Sequence, residues 1–275
     1  RFHLTLYEEK VFQRDWERVS AQLGPREKGS LETALDGGPG LLVVAGAAGP
    51  GLSLVYYALL AFLRRKFQPV TSLEEYCPLS LEGVSQVEVS RQDGATWPEL
   101  IAVALKQEPA LLACHPLRDR SSAELLFLAA AHTRALGVLN QPDAAGALRW
   151  LLKNQFRSPM RAGVLKGVLS VASIPLLCPD CRLPIEVPGR SGRVYALYTR
   201  QGCERCLTWE SLPTEEILEW HPLGPKTLEL LDREPDREAL QKALQDEGGT
   251  PLSRRVYDRA LAGELDGNEA REHLP

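Results

Sequence analysis

Apolar runs alternate with segments of helical spacing through the first two thirds of the chain. LLVVA at 41–45 is apolar throughout and predicts a buried strand, and Leu52–Phe67 predicts a helix. QVEVS alternates in polarity and predicts a short strand with two unlike faces. Trp97–Gln107 predicts a helix entered through Thr96 as cap, with Pro98 in its first turn. ALLAC at 110–114 and ALGVL at 135–139 predict two more buried strands. Between and after them lie predicted helices at Ser121–Thr133, capped by Ser121 or Ser122, and at Asp143–Asn154. Near the start, HLTLY at 3–7 has strand character and the charged stretch behind it is helical. Apolar strands that alternate with helices predict an α/β fold around a mainly parallel sheet.

The character changes after residue 175. Pro175–Thr208 carries four cysteines, short apolar segments and many turn formers. Beyond it the spacing predicts a bundle of short helices at about 214–220, 225–232, 236–246, 252–262 and 266–273.

The composition, 44% hydrophobic and 25% charged, is that of an ordinary globular chain. Net charge is −4 and cations alternate with acids, so nucleic acid is not an expected partner. Residues 41–63 hold no charged side chain and are followed by Arg64, Arg65 and Lys66, a length that suits a membrane span. Gly46, Gly49, Pro50 and Gly51 interrupt the run, which favours strand, turn and buried helix instead.

The turn between that strand and helix reads GAAGPGLS (46–53). It follows the phosphate-loop pattern G-x-x-x-x-G-K-[ST] at every element but one, because Leu52 stands where the lysine belongs. Converging backbone N–H groups and a helix N-terminus favour an anion, and the Ser53 hydroxyl suits a magnesium ion beside it. Leu52 brings no charge, and Pro50 removes one donor. A turn that needs glycine only for packing fits the same residues. Gly49, Gly51 and Ser53 are the candidate nucleotide-binding residues.

The two remaining cysteines, Cys77 and Cys114, stand alone in apolar surroundings, while CPDC (178–181) and CERC (203–206) form matching knuckles. Two such knuckles complete a four-sulfur metal site, for which Cys178, Cys181, Cys203 and Cys206 are the candidate ligands and zinc the expected ion. A site closed by four thiolates leaves no open position, so its expected role is structural.

From Gly40 to Arg182 the chain resembles the C-terminal domain of the secretion ATPases, the GspE/PilB-like motors of type II secretion and type IV pilus assembly. GLLVVAGAAGPGLSLVYYALLAFL matches the family's strand, loop and helix, and VTSLEEYCPLSLEGVSQVEV its acidic segment. ALKQEPALLACHPLRDRSSAE, LGVLNQPDAAGALRWLL and LCPDCR follow in the family's order and spacing. The resemblance implies a RecA-like core at 37–175, a tetracysteine zinc subdomain at 176–210 and a C-terminal helical domain at 211–275. Residues 1–36 are then the remnant of a preceding domain and its linker.

The family's chemical groups are altered. His115-Pro116 replaces the Walker B Gly-Glu, Asn140 replaces a histidine, and an earlier family histidine falls near Arg134. Glu74, Glu75, Arg118 and Asp119 remain. The expectation is a pseudo-ATPase that is not an enzyme, with no catalytic residue and with ATP or ADP binding left open. It would scaffold or regulate a bacterial envelope machine in the cytoplasm, at the inner-membrane face and peripheral to the membrane at most. Its partners would be an active homologous ATPase or an inner-membrane platform, with the oligomeric state open. The alternative is an ATPase motor subunit with rewired residues: Glu74 or Glu75 as base and Arg64, Arg65 or Arg118 in place of the lysine.

Overall fold

The fold was described from a computed structural model, for residues 15–89, 94–189, 192–207 and 213–273. The strand character expected at 3–7 lies outside these residues. Helices α1 (Trp16–Ser20) and α2 (Pro25–Asp36) come first, followed by β1 (Gly40–Gly46) and α3 (Pro50–Leu63). Then come β2 (Val70–Glu74), β3 (Val84–Glu88), α4 (Trp97–Leu105), β4 (Leu111–His115), α5 (Arg120–Ala130) and β5 (Arg134–Leu139). The core closes with α6 (Ala144–Lys153), α7 (Arg157–Arg161) and β6 (Leu165–Pro175). A hairpin of β7 (Arg182–Pro188) and β8 (Val194–Arg200), the short α8 (Glu204–Leu207) and β9 (Thr214–Pro222) come next. Helices α9 (Pro225–Leu230), α10 (Arg237–Asp246), α11 (Leu252–Leu261) and α12 (Gly267–Ala270) end the chain.

Seven strands form one sheet in the order β3-β2-β4-β5-β1-β6-β9, parallel throughout except for antiparallel β9. The apolar run of β1 has a simple cause. Successive side chains of a strand point to opposite faces, and here both faces are covered. Leu41, Val43 and Ala45 enter a core with α4, α5, α6 and α7, whereas Leu42 and Val44 enter another with α1, α2 and α3. Crossover helices on both faces of a parallel sheet produce this three-layer α/β architecture.

Three sequence expectations change. The segment at 214–220 is strand β9, where Ile217, Leu218 and Trp220 are buried. As an edge strand it would expose unpaired backbone groups. Gln22 covers part of that edge by donating to the Glu216 carbonyl and accepting from Leu218 N at 3.1 Å. Helix α3 stops at Leu63, short of Phe67, because Pro69 lies ahead and the residue before a proline resists helical geometry. The cap of α5 is Asp119, which accepts from Ser122 N at 2.8 Å; Ser122 donates its own hydroxyl to the same carboxylate.

Thr96 caps α4 as expected, with Glu99 reaching back to Thr96 N at 2.8 Å. Among the described residues, no helix is long and apolar enough to cross a membrane. The charge-free run 41–63 is divided between β1, an exposed turn and α3.

The cysteine hairpin shares a third core with the closing helices. Val187, Tyr195 and Leu197 pack with Leu252, Val256, Ala260, Leu265 and Ala270 and with Ala172, Ile174 and Ile217.

Candidate functional site

A parallel sheet exposes the carboxyl ends of its strands together, and ligands bind where neighbouring crossovers diverge. Here β1 lies between β5 and β6, so the turn 46–49 stands at that edge. Ala47, Ala48, Gly49 and Pro50 are exposed, and Gly49 and Pro50 open α3 as N-cap and first helical residue. The glycines also have packing roles. A Cβ on Gly46 would lie 2.8 Å from the Val171 carbonyl, and one on Gly51 only 2.3 Å from the Ser173 Cβ. Leu52 does not reach for the turn's interior as a lysine would. It is 3% exposed and joins the core under α3.

Ser53 lies on the other side of α3 from Gly51, about 200° around the helix. Its hydroxyl is 3.2 Å from His115 Nε2. His115 ends β4, pairs in register with Glu74, and stacks edge-on against Tyr56 at 4.8 Å between centroids. Desolvation is the chief cause that lowers its pKa to about 4, so the imidazole is neutral near pH 7.

Glu74 and Glu75 have unlike surroundings. Glu74 is 1% exposed and accepts from Ser72 Oγ at 2.5 Å, Gln86 Nε2 at 3.0 Å and the Tyr57 hydroxyl. Ser72 in turn meets the Tyr56 hydroxyl at 2.6 Å. Burial first, and the Glu74 charge second, hold both tyrosines well above the usual phenol pKa. Glu75 is half-exposed, donates its backbone N–H to the His115 carbonyl at the end of β4 at 2.9 Å, and forms an ion pair with Arg118.

Of the cations considered from the sequence, Arg118 alone stands at this edge. Arg64 and Arg65 follow the far end of α3, about 20 Å from the turn at 1.5 Å per residue. Arg134 begins β5 at the opposite edge, with its guanidinium 4.0 Å from the Phe67 ring centroid. Asn140 follows the carboxyl end of β5 and is exposed. The lone thiols stay protonated: burial first, and Glu74 second, push Cys77 up to about 12, and burial in the core of β4 raises Cys114.

The four cysteines meet where the hairpin leaves the core. Cys178 and Cys203 sulfurs are 3.8 Å apart, Cys181 and Cys206 3.7 Å, and Cys203 and Cys206 3.8 Å. All four lie within 4.8 Å of one another. Such separations exclude disulfides and leave room for a metal ion at the centre.

A family profile described as "Type II/IV secretion system protein" matches residues 6–272. The chain belongs to that family. It is 29% identical over 195 residues to the type IV pilus assembly ATPase PilB of Acinetobacter baylyi, covering 68% of this chain and 34% of that protein. It is 27% identical over 183 residues to the type II secretion system protein E of Dickeya dadantii, covering 64% and 37%. The chain thus matches about a third of the length of these relatives. Its fold is that of the pilus retraction motor PilT with bound ADP, at a TM-score of 0.65 and 16% identity over 95% of this chain and 67% of that one. The Legionella pneumophila ATPase DotB superposes with a TM-score of 0.58 at 14% identity, over 92% of this chain and 63% of that one.

These likenesses correct one expectation, that the chain is not an enzyme. Its named relatives and fold neighbours are ATPases and motors. The expectation rested on three positions along the sequence, and the fold brings other charged groups, Glu75 and Arg118, to the same edge.

Proposed function

We propose that this chain is a nucleotide-binding ATPase motor subunit of a type II secretion or type IV pilus assembly machine, with rewired catalytic residues. The observation that carries this reading is the placement of the exposed residues 47–50, Ser53 and the Glu75–Arg118 pair at the same carboxyl edge of the sheet. The backbone N–H groups of the turn and the start of α3, with Gly49, Gly51 and Ser53, hold the phosphates. Arg118 supplies the positive charge that Leu52 does not. Glu75, the more exposed of the two carboxylates, orients the attacking water, while Glu74 is held by its three donors and keeps β2, β3 and α3 in place. Family membership supports the reading, as do the ATPase names of the relatives.

The four cysteines hold structural zinc. Thiolates about 2.3 Å from a tetrahedral zinc lie about 3.8 Å apart, and the sulfur pairs at 3.7 and 3.8 Å agree with that edge length. The ion would fasten the two ends of the β7–β8 hairpin. The subunit acts with other proteins of the machine on the cytoplasmic side, where the nucleotide is.

Phosphate release from ATP, measured on the purified chain and on Arg118→Ala and Glu75→Gln, tests the assignment. Each substitution should lower the rate about a hundredfold or more, the scale for losing one transition-state group. The exposed ion pair itself contributes no more than about 1 kcal/mol to stability, so melting should hardly change. Turnover that survives both substitutions would overturn the assignment of roles.

A further inference from the structure

A nucleotide site of this fold usually shares its magnesium ion between phosphate, the loop hydroxyl and carboxylate-held water. Magnesium takes hard oxygen ligands in near-ideal octahedral geometry. The donors here do not meet that demand. The Ser53 hydroxyl is engaged by a nitrogen, His115 Nε2, at 3.2 Å. Glu74 is enclosed by Tyr57, Ser72 and Gln86, and Glu75 is paired with Arg118. Asp119 is committed to the start of α5 through Ser122. A further carboxylate close to the first turn of α3 is Glu216. It approaches Gly51, on the face opposite Ser53, and accepts from Thr214 Oγ1 at 3.2 Å and Ser173 Oγ at 3.4 Å.

We infer that this chain holds nucleotide without contributing a ligand to a divalent cation, and that His115 is the positioning residue that withdraws the Ser53 hydroxyl from that role. The inference rests on the nucleotide reading above and specifies its cofactor requirement. Magnesium that reaches the site arrives on the nucleotide and stays bound to phosphate and water. The cation that the protein itself offers is Arg118. In the neutral tautomer that carries its proton on Nε2, the imidazole beside Tyr56 donates to Ser53 Oγ, occupies a lone pair there and turns the positive end of its N–H toward an approaching cation.

The test is the dissociation constant of a fluorescent N-methylanthraniloyl ATP for the zinc-loaded chain, in excess magnesium and in EDTA added just before measurement. A slow-exchanging thiolate site keeps its ion over that interval, which metal analysis of the same sample verifies. The expected result is two constants within about threefold of each other, which is about 0.7 kcal/mol or less in binding. Weakening by more than about tenfold in EDTA would overturn the inference and leave the nucleotide reading intact. Tightening by manganese or cobalt but not magnesium would also overturn it, because the imidazole would then be a ligand. No binding under any condition would remove the nucleotide reading, and the inference with it. The variant His115→Glu introduces a hard oxygen ligand beside Ser53 and should bind more tightly with magnesium than in EDTA. A folded His115→Glu that stays indifferent to magnesium would remove His115 from its assigned role. Should that variant not fold, the comparison on the unaltered chain still decides.

Discussion

Gly51 and Ser173 are packed so closely that a Cβ on the glycine would lie 2.3 Å from the serine Cβ and 2.4 Å from its Oγ. The first turn of α3 therefore rests directly on β6. Gly51→Ala should destabilise the chain by about 1–3 kcal/mol, the usual cost of overpacking. In a chain of this length that lowers the melting temperature by several degrees. Adding Ser173→Gly should recover much of the loss. A Gly51→Ala protein that melts like the parent would contradict the packing.

Restoring the phosphate-loop lysine is not a neutral repair. Leu52 is 3% exposed and sits among Leu54, Val55 and Val171 in the second core. Leu52→Lys should destabilise the protein without nucleotide by several kcal/mol, because an ammonium loses its hydration there unless it escapes to the turn. ATP should return more of that stability than it gives the parent chain. Denaturant melts with and without ATP read both effects, and an unchanged midpoint for the nucleotide-free variant would mean that the position is not closed.

Position 115 gives a pH signature. Burial lowers the folded pKa of His115 to about 4, against 6.5 when the histidine is unfolded, with Glu75 acting weakly in the opposite direction. Between those values the unfolded chain binds the extra proton. The contribution of the neutral imidazole is therefore complete above about pH 6.5, shrinks as the pH falls, and is gone near pH 4. The slope cannot exceed about 1.4 kcal/mol per pH unit for one proton. His115→Gln should flatten that part of the profile, with Ser53, Tyr56 and Glu75 unchanged around it. Urea unfolding at pH 7, 5.5 and 4.5 compares the two, and parallel profiles would exclude the effect.

Metal removal should act locally first. Stripping the cysteine cluster with a strong chelator leaves four thiols at the base of the hairpin. Amide protection in β7, β8 and α11 should then fall while β1, β4 and β5 keep theirs, because the third core is the one that the hairpin shares. Cys203→Ser should reproduce the pattern. Hydrogen exchange that is indifferent to the chelator would argue that the cluster carries no metal.

Much of this architecture was legible in sequence, and the illegible parts have physical causes. β1, β4 and β5 announce themselves because both faces are apolar, and α4 and α6 because Thr96 and Asp143 are strong caps. β2 is concealed: Thr71, Ser72 and Glu74 are polar yet fully inside, satisfied by partners up to 17 residues away such as Tyr57. β9 is misleading for a related reason. Its buried Ile217, Leu218 and Trp220 are spaced as on a helix, and Glu216 and Glu219 look like a solvated face but are buried. Glu219 meets His221 Nε2 at 2.6 Å inside the fold. At the site, the motif located the turn and Ser53, but no local pattern said that His115 would face Ser53 across 62 positions. Nor did spacing distinguish Arg118 from Arg64 and Arg65; only the direction of α3 does.

β6 reaches beyond the sheet that holds it. Its last partner on β1 is Val171, opposite Gly46, and four further residues (172–175) lead on to the cysteines with only β9 alongside. At about 3.3 Å per residue that is an overhang of about 13 Å. The hairpin and its sulfur cluster extend from this two-stranded arm, and α11 and α12 pack along it, with Arg255 of α11 also paired to Glu27 of α2. Its root bears on the glycine turn through Ser173 and Val171. The strand that carries the hairpin is thus the strand against which Gly46 and Gly51 pack. In engineering terms, the arm and the seat of the glycine turn are one beam.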